Sequence, residues 1–240
     1  MKLAALHRWP RTPRDAIELQ QKLAERVILR APRGGVAGPR ILAGADAAFS
    51  PDGEQVIAAV VVWDIQEGRV IETRVARRPL TFPYVPGLLS FRELPAILAA
   101  IRRLDCKPDA FLCDAHGLAH PRRFGLACHL GLWLDRPAIG CAKSRLCGEH
   151  DEPAAPRGAQ APLTHRGERI GTVLRTRDGV RPIYVSPGHR VDHAFAVRVA
   201  LAAATRFRLP EPTRLADRLA AQAKASPRAA QPELAQRRRN

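Results

Sequence analysis

Acidic residues are scarce in this chain: 23 Asp and Glu stand against 39 Lys and Arg, a formal net charge of +16. The imbalance favours a polyanionic partner, either nucleic acid or an acidic membrane surface. A chain that uses Arg wherever it needs a solvated cation would show the same composition. Long apolar runs are missing as well. Nothing approaches the roughly 18 residues of a membrane span, and the longest apolar stretch, Val56 to Trp63, has strand length. The opening residues, MKLAALHRWPRTPRD, contain no apolar core of signal-peptide length. Cysteine is sparse: five residues, odd in number, at irregular spacing and without a C-x-x-C. That excludes a regular disulfide framework and leads to the expectation of a reducing, cytoplasmic setting. No internal repeat is present.

Apolar residues make up 46% of the 240, enough for one substantial core. Residues 13–29 place Ile17, Leu19, Leu23 and Val27 at helical spacing, with Thr12 or Asp15 near the start. A Gly/Pro/Arg linker follows. ILAGADAAF, EQVIAAVVVWDI and GRVIETRVARRPL then read as consecutive strands with short connections, hence an antiparallel meander, the second strand being continuously apolar and central. Beyond it the pattern alternates. Residues 90–104 are helical, 109–114 a buried strand, 121–134 helical and 137–142 a buried strand, which implies parallel crossovers. Residues 167–186 read as a hairpin turning at Asp178-Gly179, 193–207 as a core helix and 213–225 as a surface helix. The expected architecture is α/β: a mixed sheet of three antiparallel strands followed by parallel ones, flanked by helices. It forms a single domain over 1–225, with a basic, disordered tail over 226–240.

Two aspartates stand out. Asp46 lies among small apolar residues of the first strand, where an ionised carboxylate is costly unless it is hydrogen-bonded or bound to a cation. Asp114 ends an apolar strand, at the edge where open α/β sheets bind ligands. Facing each other, the pair would suit a hard cation such as Mg²⁺. Glu93 has two readings. Ser90-Phe-Arg-Glu93 matches a capping box, whereas Pro95 at a first helical position would leave Glu93 on the helix lip. His116 and His120 have the i, i+4 spacing of a helical zinc pair, but Gly117 between them and Pro121 after them argue against a helix there. Oxygen-ligated Mg²⁺ or Mn²⁺ fits the carboxylates better than zinc.

Taken together, LAGADAAF, PYVPGLLSFRE, DAHGLAHPRRFGLACHLGLWLDRPAIGCAKSRLCG, YVSPGHRVDHA and LPEPTRLAD resemble the endonuclease V family, in the family's order and over most of residues 15–220. Ala115 stands where that family usually has glycine. The resemblance implies a ribonuclease H-like fold and a DNA-repair nuclease that cuts the second phosphodiester bond 3′ to deoxyinosine, leaving 3′-hydroxyl and 5′-phosphate ends. It implies Asp46, Glu93 and Asp114 as ligands of Mg²⁺, with Mn²⁺ as a substitute. It also implies Lys143 beside the scissile phosphate and His189 completing the active-site rim. His189 as a backbone-held loop histidine, Lys143 as a solvated strand-end cation and Asp192 as a helix N-cap are the plain alternatives. By the same resemblance, Tyr84, bracketed by Pro83 and Pro86, is a wedge that enters the duplex. Its plain alternative is a P-x-x-P turn. The loop containing His116 and Gly117 is expected to take the base. Arg122 and Arg123, at the start of a helix, are expected either to hold phosphates or to be simply solvated. The expected partner is deoxyinosine-containing DNA acted on by a monomer. Inosine-containing RNA, a related nuclease acting on RNA or branched nucleic acid, and a non-catalytic binding protein remain rivals.

Overall fold

A helix opens the structure, a computed structural model that describes residues 3, 5–31 and 38–225. The expected basic tail, 226–240, and part of the linker lie outside the described residues. Helix α1 (Pro13–Ala24) starts where Thr12 accepts a hydrogen bond from the Asp15 amide, with proline at the first position, where no N–H is needed. It ends at Ala24, short of the expected residue 29, and Val27 packs from the following coil. The meander is as read. Strand β1 (Ile41–Phe49) pairs antiparallel with β2 (Gln55–Asp64), and β2 with β3 (Arg69–Pro79). Helix α2 (Leu89–Ile101), β4 (Ala110–Cys113), α3 (Leu126–Leu134) and β5 (Ala138–Ala142) supply the alternating part, with β4 parallel to both β1 and β5.

The second half adds β6 (Gln160–His165), β7 (Glu168–Leu174), β8 (Ile183–His189), α4 (His193–Ala203) and α5 (Glu211–Ala225). All the strands join one sheet in the order β3-β2-β1-β4-β5-β8-β7-β6. The expected hairpin exists as the antiparallel pair β7–β8, but its connection is long, and Asp178-Gly179 is only part of it. Strand β6 was not expected. It makes a tighter hairpin with β7 through Arg166-Gly167, both at positive φ, the geometry of a two-residue primed turn. Among the described residues no helix is long and apolar enough to cross a membrane.

Both sheet faces are covered. Ala43, Ala45, Val60, Val62, Phe111 and Cys113 pack under α2 and α3 through Leu94, Ile97, Ile101 and Leu130. Leu42, Leu112, Ile139 and Val185 pack under α4. Each such fully buried Leu, Ile or Phe contributes about 1.5–3 kcal/mol of hydrophobic stabilisation. Helix α5 is not the surface helix expected from its sequence. Its Thr213, Ala216, Ala220 and Ala223 are buried. A glycine permits the approach: a Cβ on Gly44 of β1 would lie 2.0 Å from the carbonyl carbon of Pro212. Gly44→Ala is therefore expected to push α5 off β1 and destabilise the protein by about 2–3 kcal/mol. Urea unfolding checks this, and a wild-type midpoint would show that α5 does not depend on the close contact.

Candidate active site

Strand register builds the centre of the site. Ala45 pairs with Cys113 across the parallel β1–β4 ladder, so the next residues stand side by side: Asp46, inside β1, and Asp114, just past the carboxyl end of β4. The Asp114 amide reaches back to the Ala45 carbonyl at 3.4 Å. Alternation along β1 puts Asp46 on the same face as Gly44, the face that α5 covers. There α5 supplies a third carboxylate, and oxygens of Asp46, Asp114 and Asp217 lie within 4.8 Å of one another. Asp217 was not singled out from the sequence. The signal was nonetheless there: it follows Thr213 by four residues and precedes Ala220 by three, an acid on the buried stripe of an amphipathic helix.

Lys143 follows β5 at the same sheet edge. Its Nζ lies 2.6 Å from Asp114 and 2.9 Å from Asp217. Burial alone would pull this ammonium down, but its hydrogen bonds to the two aspartates outweigh that and raise its pKa. Burial pushes Asp46 up to about 7, reinforced by the neighbouring Asp114 charge. Asp114 is also raised by burial, with Lys143 working in the opposite direction. Carboxylates held this close at this depth resist ionising together unless a cation joins them. Every donor in the group is a hard oxygen, the preference of Mg²⁺ or Mn²⁺ rather than zinc. The ammonium seated between two of the aspartates marks where positive charge is favoured.

Glu93 projects from the second turn of α2. Neither sequence reading of its surroundings holds. The helix begins at Leu89, four residues ahead of Glu93, with Pro95 in its interior and no side-chain cap. Ser90, instead of capping, hydrogen-bonds to Nδ1 of His129 at 3.0 Å. Glu93 is 8% exposed. Burial, and then the charge of Asp46, push it up to about 8, so it feels the aspartate group while lying outside the close trio.

A cleft of about 440 Å³ opens beside Asp46 and Asp114, and Tyr84, Pro86, His116, His120 and Leu146 are among the residues that line it. Tyr84 is 73% exposed, with the Arg92 guanidinium 5.7 Å from its ring centre. Residues 114–125 are a loop with no helix, so His116 and His120 do not form a helical metal pair. His116 Nε2 donates to the Ser144 carbonyl at 3.0 Å, and its Nδ1 is buried without a partner. His120 Nε2 donates to the Gly87 carbonyl, while its Nδ1 accepts from the Arg122 amide. Burial lowers both imidazoles to about 4. Gly117 is packed against backbone: an added Cβ would lie 2.1 Å from the Pro187 carbonyl oxygen, and its own amide donates to Ser186 Oγ.

Two expectations need correction. His189 is not on the rim with the carboxylates. Strand β8 runs antiparallel to β5 and pairs His189 with Ala138, the opposite end of β5 from Ala142 and Lys143. Its ring lies 3.3 Å from Asp135 and accepts from the Ile28 amide. Arg122 and Arg123 do not start a helix: α3 begins at Leu126, and Arg123 has φ +56°. Their guanidinium groups face protein partners. Arg122 donates to Gln20 and Gly87, and Arg123 to Glu168 and the His165 carbonyl. Asp192, by contrast, caps α4 through the Phe195 amide at 2.7 Å.

The Endonuclease V family model matches residues 21–218. The chain is 52% identical over 220 residues to the endonuclease V of Alkalilimnicola ehrlichii, covering 92% of this chain and 96% of that one. The crystal structure of the Streptomyces avermitilis endonuclease V superposes with a TM-score of 0.85 at 45% identity, over 90% of this chain and 94% of that one. The Bacillus subtilis endonuclease V structure gives a TM-score of 0.88 at 32% identity, over 94% and 98%.

Proposed function

Because the chain belongs to the endonuclease V family, with its ribonuclease H-like fold and deoxyinosine 3′-endonuclease activity, we propose that it hydrolyses DNA at the Asp46–Asp114–Asp217 centre, at the second phosphodiester bond 3′ to deoxyinosine. The observation that carries this assignment is the convergence of three carboxylates from β1, the end of β4 and α5, beside a cleft lined in part by an exposed tyrosine. Asp46, Asp114 and Asp217 would hold a divalent cation, Mg²⁺ or Mn²⁺, with Glu93 completing the acidic wall. Such an ion polarises the phosphate and lowers the pKa of a bound water.

The chain's own groups do the rest. Water attacks phosphorus, the bond to the 3′-oxygen breaks, and the products carry 3′-hydroxyl and 5′-phosphate ends. Lys143, its pKa raised by two aspartates, keeps its proton throughout and presents a fixed positive charge to the phosphate. His116 and His120 are neutral at physiological pH, so the cleft wall offers hydrogen bonds without charge. Tyr84, held by two trans-prolines on its loop, can fill the stack left by an extruded base. An inosine mispair is weaker than a normal pair, which lowers the cost of extrusion.

A panel of inosine, uracil, abasic and mismatched duplexes with Mg²⁺, Mn²⁺ or EDTA tests the assignment. Cleavage of the inosine duplex is expected with either ion and none in EDTA. Uracil cut as fast as inosine would remove the lesion assignment, and activity in EDTA would remove the cation. Tyr84→Ala is expected to weaken binding to the inosine duplex by about tenfold more than binding to plain duplex, the scale of one lost base stack. Equal losses in a titration on both duplexes would argue against a wedge.

A further inference from the structure

Three side-chain donors converge on one carbonyl oxygen at the root of the Tyr84 loop. Gln20 Nε2, His120 Nε2 and Arg122 Nη2 each lie 2.9 Å from the oxygen of Gly87. A carbonyl has two lone pairs, so three donors saturate it. Gly87 is also the one position of the loop's root whose backbone conformation calls for glycine. Pro83 and Pro86 restrict φ on either side of Tyr84, but Gly87 sits at φ +79°, a conformation open to glycine and strained for other residues.

Gln20 lies at the centre of this arrangement. It projects from α1, is 1% exposed, and has matched partners for its polar atoms. Its Nε2 also donates to the Phe124 carbonyl at 3.1 Å, and its Oε1 accepts from Arg122 Nε at 2.6 Å. One amide thus joins the Tyr84 loop to the loop that precedes α3. Below it, Ala16 of α1 packs with Phe82, Leu88 and Phe91, so the helix and the loop share a small core. Gln20 belongs to none of the carboxylate contacts.

We propose that Gln20 is a specificity-determining positioning residue that locks Gly87 and so fixes the angle at which Tyr84 enters the duplex beside deoxyinosine. The assignment rests on the wedge reading of Tyr84. A wedge separates lesion from normal pair only if its backbone does not yield when the ring meets the stack. With Gly87 released, the ring occupies its productive position for a smaller fraction of the time. Lesion binding then weakens while phosphate contacts elsewhere are unaffected.

Gln20→Met keeps side-chain length and volume but removes every hydrogen bond of the amide. Gln20→Glu keeps the Arg122 contact but places a carboxylate oxygen against the carbonyls of Gly87 and Phe124. Either variant is expected to lower the ratio of inosine-duplex to plain-duplex affinity about tenfold, the scale of two lost hydrogen bonds. KM should rise while kcat and plain-duplex affinity stay within about twofold. In a Tyr84→Ala background, Gln20→Met is expected to cost nothing further in discrimination, because coupled residues are not additive. Full additivity in that cycle, or equal losses on both duplexes, overturns the proposal and leaves Gln20 a structural residue. If Tyr84→Ala lowers discrimination and neither Gln20 variant does, this inference alone fails. If Tyr84→Ala itself has no effect, the wedge reading fails and takes the inference with it.

Discussion

Asp114→Asn is expected to cut the rate of deoxyinosine-duplex cleavage by about a thousandfold or more, with affinity for the same duplex retained or slightly increased. The size follows from the role: loss of the charge that holds a divalent cation forfeits several kcal/mol of transition-state stabilisation, and each 1.4 kcal/mol is about tenfold in rate. Affinity is expected to survive because phosphate contacts dominate protein–DNA binding and make it salt-dependent, and a chain with a formal net charge of +16 has cations to supply them without the aspartates. Asparagine preserves the shape of the side chain, so the Lys143 contact at 2.6 Å loses its charge and not its neighbour. Asp46→Asn and Asp217→Asn are expected to behave alike, since their oxygens share one 4.8 Å cluster with Asp114. His189→Ala supplies the contrast. Paired with Ala138 at the far end of β5, its ring has no route to the carboxylates, so the variant should cleave at close to the wild-type rate. Single-turnover kinetics with a parallel binding titration measure both quantities. Robust cleavage by Asp114→Asn in Mg²⁺ would rule out the proposed centre.

Glu93→Gln is expected to do two opposite things: impair cleavage and stabilise the protein stripped of divalent ions. The sign follows from the raised pKa. Burial, then the Asp46 charge, lift Glu93 from its ordinary 4.5 to about 8. A carboxyl whose folded pKa is raised contributes its full stabilisation below the unfolded value. That contribution is lost as pH rises from about 4.5 through about 8, because the unfolded chain ionises first. In EDTA at pH 8 the wild-type side chain therefore costs on the order of 3 kcal/mol, and a neutral glutamine of the same shape removes that cost. Thermal melts should show the variant higher by roughly 5–10 °C at pH 8, with the gap closing towards pH 5. A variant melting below wild type at pH 8 in EDTA would mean that the Glu93 carboxylate is satisfied by partners rather than strained by burial. Adding Mg²⁺ should raise the wild-type melting temperature more than that of the variant, since binding to the native state stabilises by mass action.

Much of this molecule was legible in the chain. The meander over β1, β2 and β3 follows from short connections and apolar patterning, and β4 and β5 from apolar runs bounded by breakers. Asp46 and Asp114 are conspicuous because each is a carboxylate set into apolar sequence, an expense that local composition reveals at once. Tyr84 is conspicuous because prolines bracket it. Other features were misread for local reasons. Arg122 and Arg123 look like a helix start, yet Gly125 and its neighbours satisfy amides through a returning loop. Gly125 N–H bonds the Gly117 carbonyl and Ala127 N–H bonds that of His116, which delays α3 to Leu126. Strand β6 was overlooked because its turn is closed by Arg166-Gly167 instead of the usual Asn-Gly or Asp-Gly.

By itself the sequence determined most of the strands and helices, that two carboxylates end or interrupt buried strands, and that an aromatic sits on a stiffened loop. All of these are properties of neighbours along the chain. Tertiary structure alone decided the membership of the site. Asp217 enters because Gly44 lets α5 lie against β1, and His189 leaves because β8 pairs antiparallel with β5 and carries its last residue to the opposite end of the sheet. The side chain at the end of a strand is written locally. The edge of the sheet that it reaches depends on the direction of pairing with a strand some forty residues earlier in the chain, and no local spacing encodes that direction.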